Sequence, residues 1–253
     1  MESIGGNNPV CIIIAAGEGT RWNNYLGKHK HFIEIDGEPI ITRTVRLAGQ
    51  FSSKIYVAGK SDDYQINGST WFRPELNPLN YDCDKFLSSA CLWNQEGRTV
   101  VLYGDVYFSD DAMQRVMEFQ PREWALFARF GRSKLTGKKY GECFAHSFFP
   151  EHIAGHMAGL QHIVSAYSRG EIKRCGGWEL YRQMERLPLE EHQRKGRFVE
   201  IDDWTEDFDC PLDYDRWFTS RYGRGLTGWI RRFRNMRNKR RLLADFRQLK
   251  PSD

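Results

Sequence analysis

No stretch of this 253-residue chain approaches the roughly 18 consecutive apolar residues that a membrane-spanning helix requires, so no transmembrane segment is expected. There is no Cys-x-x-Cys pair: Cys11, Cys83, Cys91, Cys143, Cys175 and Cys210 are scattered. That spacing argues against a zinc ribbon or a disulfide framework and fits reduced thiols in a cytoplasmic protein. The opening residues, MESIGGNNPV, lack a basic n-region and lead straight into an apolar run, so no secretory signal is expected. No internal repeat and no low-complexity linker precedes the basic C-terminal stretch.

The composition is that of a globular protein, with 40% hydrophobic and 28% charged residues. The length suits one large α/β domain or two small ones. Net charge is +4, unevenly spread: residues 221–253 hold eleven lysines and arginines against two aspartates, so the remainder is acidic. The expected division is a domain over residues 1–220 and a basic tail over 221–253.

Residues 10–16 form a continuous apolar run with three successive isoleucines, the pattern of a strand buried on both faces. A glycine turn follows at residues 17–21. A short strand is expected at 31–35, a helix at 40–50 and a second buried strand at 54–58. Residues 61–81, rich in Asn, Gly, Pro and Asp, read as a loop carrying short elements. A helix at 85–94 precedes a buried strand at 99–103 that ends in Gly104-Asp105. A helix entered through an Asp cap spans 110–119, and a strand spans 124–129. Later elements are a helix at 150–168, a strand at 197–201 and a helix at 211–219. The alternation over the first 130 residues predicts a mostly parallel sheet with helices on both faces.

The turn reads A-A-G-E-G-T-R over residues 15–21. It lacks the third glycine of a dinucleotide fingerprint and the G-K-[ST] of an ATP-binding P-loop. Glycines let backbone N–H groups approach phosphate oxygens closely, and Arg21 and Lys30 carry charge suited to a triphosphate. A tight turn with an incidental arginine is the plainer alternative. With GKHKHFIEIDGEPI downstream, the stretch resembles the opening of nucleotidyltransferases with the GT-A-like α/β fold. That family includes sugar-1-phosphate nucleotidylyltransferases, choline-phosphate cytidylyltransferases and molybdenum-cofactor nucleotidylyltransferases. Its pattern A-A-G-x-G-T-R, P-K-x-L, G-x-P-L aligns with residues 15–21, His29-Lys30 and Gly37-Glu38-Pro39, and His29 stands where proline is usual. The resemblance implies a three-layer α/β/α fold with a mostly parallel mixed sheet. It also implies nucleotide contacts from Ala15, Ala16, Gly17, Gly19, Thr20, Arg21, Lys30 and Gly104.

Nucleotidyl transfer calls for a divalent cation, Mg2+, held by carboxylate oxygens. In the resembled family a Gly-Asp after the central strand supplies one ligand, which assigns Asp105. The segment DFDCPLDY over 207–214 resembles a late D-[IF]-D-T-P-E-D-L element, with Cys210 and Leu212 departing from it. Asp209 is the expected second ligand and Asp207 the next; Asp213 is expected to cap the following helix. A capping Asp and an acidic solvated loop are the alternatives for these positions.

Asn77 and Ser88 or Ser89 are candidates for contact with the base or ribose, with ordinary capping as the alternative for the serines. CTP is the favoured nucleotide substrate and a small phosphorylated compound the acceptor. Arg129, Lys138, Lys139 and Glu142 are candidates for the acceptor side. His152 and His156, at i and i+4, lack the glutamate and third ligand of a zinc site and are read as ordinary helical histidines. In the tail, Leu226, Trp229, Ile230, Phe233, Met236, Leu243, Phe246 and Leu249 recur near helical spacing among arginines. An amphipathic helix is expected there, docked on the protein or a second subunit, facing an anionic partner such as nucleic acid or a membrane surface, or sending arginines to the acceptor phosphate. The expected activity is an Mg-dependent nucleotidyltransferase. The alternatives are a GT-A glycosyltransferase, whose D-x-D motif Asp105-Val106-Tyr107 does not match, and a non-catalytic nucleotide-binding protein.

Overall fold

A computed structural model of the protein describes residues 8–76 and 82–223. The chain opens with β1 (Val10–Ile14), the small hairpin β2 (Glu34–Ile35) and β3 (Glu38–Pro39), and α1 (Ile40–Ala48). It continues through β4 (Lys54–Ala58), β5 (Thr70–Phe72), α2 (Asp82–Ser88), β6 (Thr99–Tyr103), β7 (Val106–Tyr107) and α3 (Asp110–Met117). The second half holds β8 (Ala125–Arg129), β9 (Glu142–Phe148), α4 (Pro150–Ser168), α5 (Gly177–Glu185), β10 (Phe198–Glu200), β11 (Glu206–Asp207) and α6 (Pro211–Tyr222).

Seven strands form one sheet in the order β10-β8-β9-β6-β1-β4-β5. All neighbours are parallel except β9, which runs antiparallel to both β6 and β8. The sheet is therefore mixed and mostly parallel, as the alternation of apolar runs predicts. β1 lies centrally, with every residue from Val10 to Ile14 buried. Its side chains alternate between two cores. Cys11 and Ile13 meet α1 and α3 on one face, while Val10, Ile12 and Ile14 meet α2, α4 and α5 on the other. A third cluster of Trp22, Ile33, Ile35, Ile40, Tyr107, Phe208, Tyr214 and Trp217 joins the loop after β1 to α6.

Several local expectations are corrected. The cap of α3 is Ser109, whose Oγ accepts from the Ala112 N–H at 2.9 Å, so no Asp enters that helix as its cap. The helix expected over 85–94 starts earlier and closes at Ser88, followed by a single 3-10 turn at Ala90–Leu92. β9 and α5 were not anticipated, nor was the two-stranded pairing of β7 with β11. α6 runs on to Tyr222, past the expected start of the tail. Asn77 and the basic amphipathic helix expected from residue 226 onward lie outside the described residues.

Candidate functional site

The chain leaves β1 toward one face and β6 adjoins it on the other side, so the sheet order reverses between them; in open α/β sheets such a reversal opens a crevice at the carboxyl ends of the strands. The two segments at this edge are the glycine turn after β1 and Gly104-Asp105 after β6. They approach very closely: a Cβ on Gly104 would stand 2.9 Å from the Ala15 Cβ and from the Ile14 carbonyl oxygen. Gly19 has φ +64°, and the His29 Nε2 would lie 2.8 Å from a Cβ placed there. Both positions thus require glycine, one for contact and one for contact and conformation.

Asp105 is positioned by backbone pairing. β7 and β11 run antiparallel with Val106 opposite Asp207, and the Phe208 N–H donates to the Asp105 carbonyl at 3.0 Å. This pairing carries Asp207 and Asp209 to the end of β6. Lys30, in the loop after β1, is ion-paired with Asp105 and lies 3.6 Å from Asp209. Arg21 reaches Asp209 at 2.8 Å. Burial works against the charge of Lys30, but Asp105 and then Asp209 outweigh it and hold the ammonium protonated well above its ordinary range. Burial likewise opposes ionisation of Asp105, and Lys30 overcomes this, keeping the carboxylate below its usual range.

Lys138 sits on the turn between β8 and β9 and is encircled. Its Nζ lies 2.6 Å from Asp207, 3.3 Å from Glu142, 3.4 Å from Asp213 and 3.7 Å from Asp209. Glu142, Asp207 and Asp209 each bring one carboxylate oxygen within 4.8 Å of the others. Burial, opposed by Lys138 and reinforced by Asp209, raises Glu142 to about 7. Burial and Glu142 together push Asp207 well above its usual range. Carboxylates held this close repel one another, and an all-oxygen donor set of this kind fits a hard divalent cation such as Mg2+. Asp213 also accepts from the Cys210 N–H at 3.1 Å, so it caps α6 as its sequence position suggests.

The structure brings Ala15, Ala16, Gly17, Gly19, Arg21, Lys30, Gly104, Asp105, Asp207 and Asp209 to this one edge, with Thr20 in the same turn. It places other candidates elsewhere. Ser89 is fully buried, donates to the Phe86 carbonyl at 2.7 Å and accepts from Trp93 Nε1 at 3.3 Å. Ser88 ends α2 and donates back to the Lys85 carbonyl at 2.9 Å. Ser89 precedes the 3-10 turn at Ala90–Leu92 but makes no side-chain cap there, and its hydroxyl has no surface to offer a base. Arg129 is 4% exposed and makes a two-pronged pair with Glu206, at 3.0 and 2.9 Å, so it is not turned toward an acceptor phosphate. Lys139 is exposed. The His152 ring accepts from the Phe149 N–H at 3.3 Å, whereas His156 stacks on Phe148 and bonds the His152 carbonyl, so the two rings serve different partners.

One residue at the edge escaped the sequence reading. Lys85 projects from α2 so that its Nζ would lie 3.9 Å from a Cβ on Gly17, while pairing with Asp82 at 2.8 Å. The proximity of Glu142 to Asp207 and Asp209 was also missed. The strand that carries Glu142, ECFAHSF, alternates too weakly to announce an antiparallel element, although its pairing with β8 is what delivers Glu142 to the cluster.

A family model described as MobA-like NTP transferase domain matches residues 11–200. The chain is 31% identical over 117 residues to the bifunctional protein GlmU of Sphingopyxis alaskensis, covering 44% of this chain and 26% of that one. It thus spans about a quarter of that relative's length. Among solved structures, a protein assigned as a glucose-1-phosphate thymidylyltransferase of Bacillus anthracis aligns with a TM-score of 0.55 at 16% identity, covering 82% of this chain and 93% of that one. The 4-diphosphocytidyl-2C-methyl-D-erythritol synthase of Anaerococcus prevotii aligns with a TM-score of 0.52 at 14% identity, covering 85% and 99%. At these identities the structures share the fold. Among the described residues, no helix is long and apolar enough to cross a membrane.

Proposed function

The chain belongs to the family of MobA-like NTP transferase domains, and we propose that within it the protein transfers a nucleoside monophosphate from an NTP to a small phosphorylated acceptor. The observation that carries this reading is the meeting of the glycine turn with Asp105 at the reversal point of the sheet, where Arg21 and Lys30 already engage acidic side chains. A triphosphate laid on the turn finds backbone N–H groups of residues 16–21 and three cations, Arg21, Lys30 and Lys85, within one crevice. Asp105, Asp209 and Asp207 would hold Mg2+, with Glu142 beside Asp207 and Asp209 at the same seat, and the ion when bound neutralises phosphate charge and orients the triphosphate.

An oxygen of the acceptor phosphate attacks the α-phosphorus in line. The new O–Pα bond forms as the bond from Pα to the β-phosphate bridging oxygen breaks, and pyrophosphate departs with that electron pair. The nucleophile arrives ionised, so no covalent protein intermediate is needed, and rate comes from positioning and charge neutralisation. Lys30 is suited to this because Asp105 and Asp209 hold it charged and fixed at the edge.

CTP is the first nucleotide to try, since the Anaerococcus prevotii structure is described as a diphosphocytidyl-compound synthase, and sugar phosphates are natural acceptors beside it, given the Bacillus anthracis one. The test is a pyrophosphate-release screen of the four NTPs against sugar phosphates, phosphocholine and phosphonates. Release dependent on one NTP and one acceptor is expected. Tight binding of UDP-sugars with none of NTPs would replace this reading with a glycosyltransferase, and NTP binding without turnover across the panel would leave a nucleotide-binding protein.

A further inference from the structure

Lys138 has more negative charge around it than one ammonium can satisfy. Asp207, Glu142, Asp213 and Asp209 all lie within 3.7 Å of its Nζ, and its side chain is only 14% exposed. Over the whole edge, five carboxylates (Asp105, Glu142, Asp207, Asp209, Asp213) share three bases, Arg21, Lys30 and Lys138. Fully ionised, the group is left with two negative charges. The Lys138 ammonium lies against the same three carboxylates whose oxygens gather within 4.8 Å.

We propose that Lys138 is a resident occupant of the divalent-cation seat, a tethered ammonium that holds Glu142, Asp207 and Asp209 together and yields to the metal when it binds. This rests on the metal dependence put forward under Proposed function and assigns Lys138 a positioning role. The physical argument is competition. Two positive centres in one cage of carboxylates repel each other strongly at such separations, so ammonium and divalent ion exclude one another. The tether makes the exchange reversible. Lys138 belongs to a short turn whose backbone is closed by the Ser133 N–H to the Lys138 carbonyl at 2.9 Å and the Gly137 N–H to the Ser133 carbonyl at 3.1 Å. The turn therefore keeps its shape while the flexible four-carbon side chain withdraws. Before the metal arrives, Lys138 prevents the carboxylates from scattering.

The test uses Mn2+ alone, followed by electron paramagnetic resonance on the full chain without nucleotide. K138M removes the competitor and is expected to bind Mn2+ about tenfold more tightly than the wild type, because its seat is no longer partly filled. K138R keeps the competing charge and should bind like the wild type, and E142Q should bind more weakly. Unchanged or weaker binding by K138M, or no effect of E142Q, would overturn the proposal. A second measurement needs no variant: reductive methylation of the wild type, read by mass spectrometry at Lys138, should be slow without metal and accelerate when Mn2+ is added. Labelling that is unchanged or slower with Mn2+ bound overturns the proposal even where K138M does not fold. If the wild type and K138M both fail to bind Mn2+, with or without CTP, the metal reading itself falls and this inference with it. If the wild type binds Mn2+ and Lys138 does not respond, only the inference falls.

Discussion

The Phe208 N–H donates to the Asp105 carbonyl oxygen at 3.0 Å, joining two residues more than a hundred positions apart in the chain. It continues the antiparallel pairing of Val106 with Asp207 and Tyr107 with Glu206. One residue on, Asp209 comes to the side of the crevice that Asp105 occupies, and Lys30 lies between them. The acidic edge of the protein is thus assembled by backbone hydrogen bonds, and the charges are held at fixed separations before any ligand arrives.

Asp105→Asn should reduce the rate of pyrophosphate release by about 10²–10³-fold, the loss typical when a fixed charge at a reacting centre is removed. Lys30→Met should fall in the same range, and the double variant should lose little more than either single one, because the two act as a pair. Initial rates at saturating NTP check this. Wild-type-like turnover in Asp105→Asn would remove that residue from the site.

Trp22 is fully buried against Tyr214 and beside Tyr25 at the junction of the glycine-turn loop with α6. Trp22→Ala should destabilise the protein by about 3–5 kcal/mol through lost transfer energy and the cavity left behind. Urea unfolding gives the number, and a loss below about 1 kcal/mol would mean that α6 is not held by this cluster.

Arg129 and Glu206 form a buried pair supplemented by the Thr136 hydroxyl at 3.1 Å. Arg129→Met should cost about 3–5 kcal/mol because it strands a buried carboxylate, whereas Arg129→Met with Glu206→Leu should recover most of that loss. A double-mutant cycle in urea measures the coupling, and additive losses would contradict it. Folded Arg129→Met should keep its affinity for the acceptor, since the guanidinium faces Glu206.

His146 is completely buried, and neither ring nitrogen has a hydrogen-bond partner among the described residues. Burial, with a smaller push from His156, lowers its pKa to about 3. Below about pH 6.5 the unfolded chain takes up a proton that the folded one refuses, so stability falls as the pH drops from that point toward 3. Between pH 7 and pH 5 this single group removes about 2 kcal/mol. His146→Phe should flatten that part of the profile, read from urea midpoints at the two pH values, and an unchanged slope would show that His146 is protonated in the folded protein.

The glycine turn and Asp105 were legible because each follows directly on a strand whose apolar run is continuous, and both strands end at the same edge; Arg21 and Lys30 were legible from the pattern of the resembled family. Asp207 and Asp209 were legible through the late acidic element of the resembled family, not from any pairing the sequence announces. Ser89 misled because a serine at a helix reads as a polar group open to a base or ribose, whereas this one is fully buried and turns its hydroxyl inward to the Phe86 carbonyl. Arg129 misled similarly: a basic residue ending a strand is sequence evidence for a ligand and for a buried ion pair alike.

The sequence by itself determined the alternation of strands and helices in the first half, the tight turn that only glycines allow, and the residue types suited to a polyphosphate, because these follow from local sterics and short-range periodicity. Only the tertiary structure decided which carboxylate meets which base. That choice depends on β7 pairing with β11 and on β9 folding back along β8, contacts between segments too distant for any spacing rule. Lys138 shows the difference most plainly: a candidate for an acceptor phosphate in the sequence, it becomes the centre of four carboxylates once those strands close.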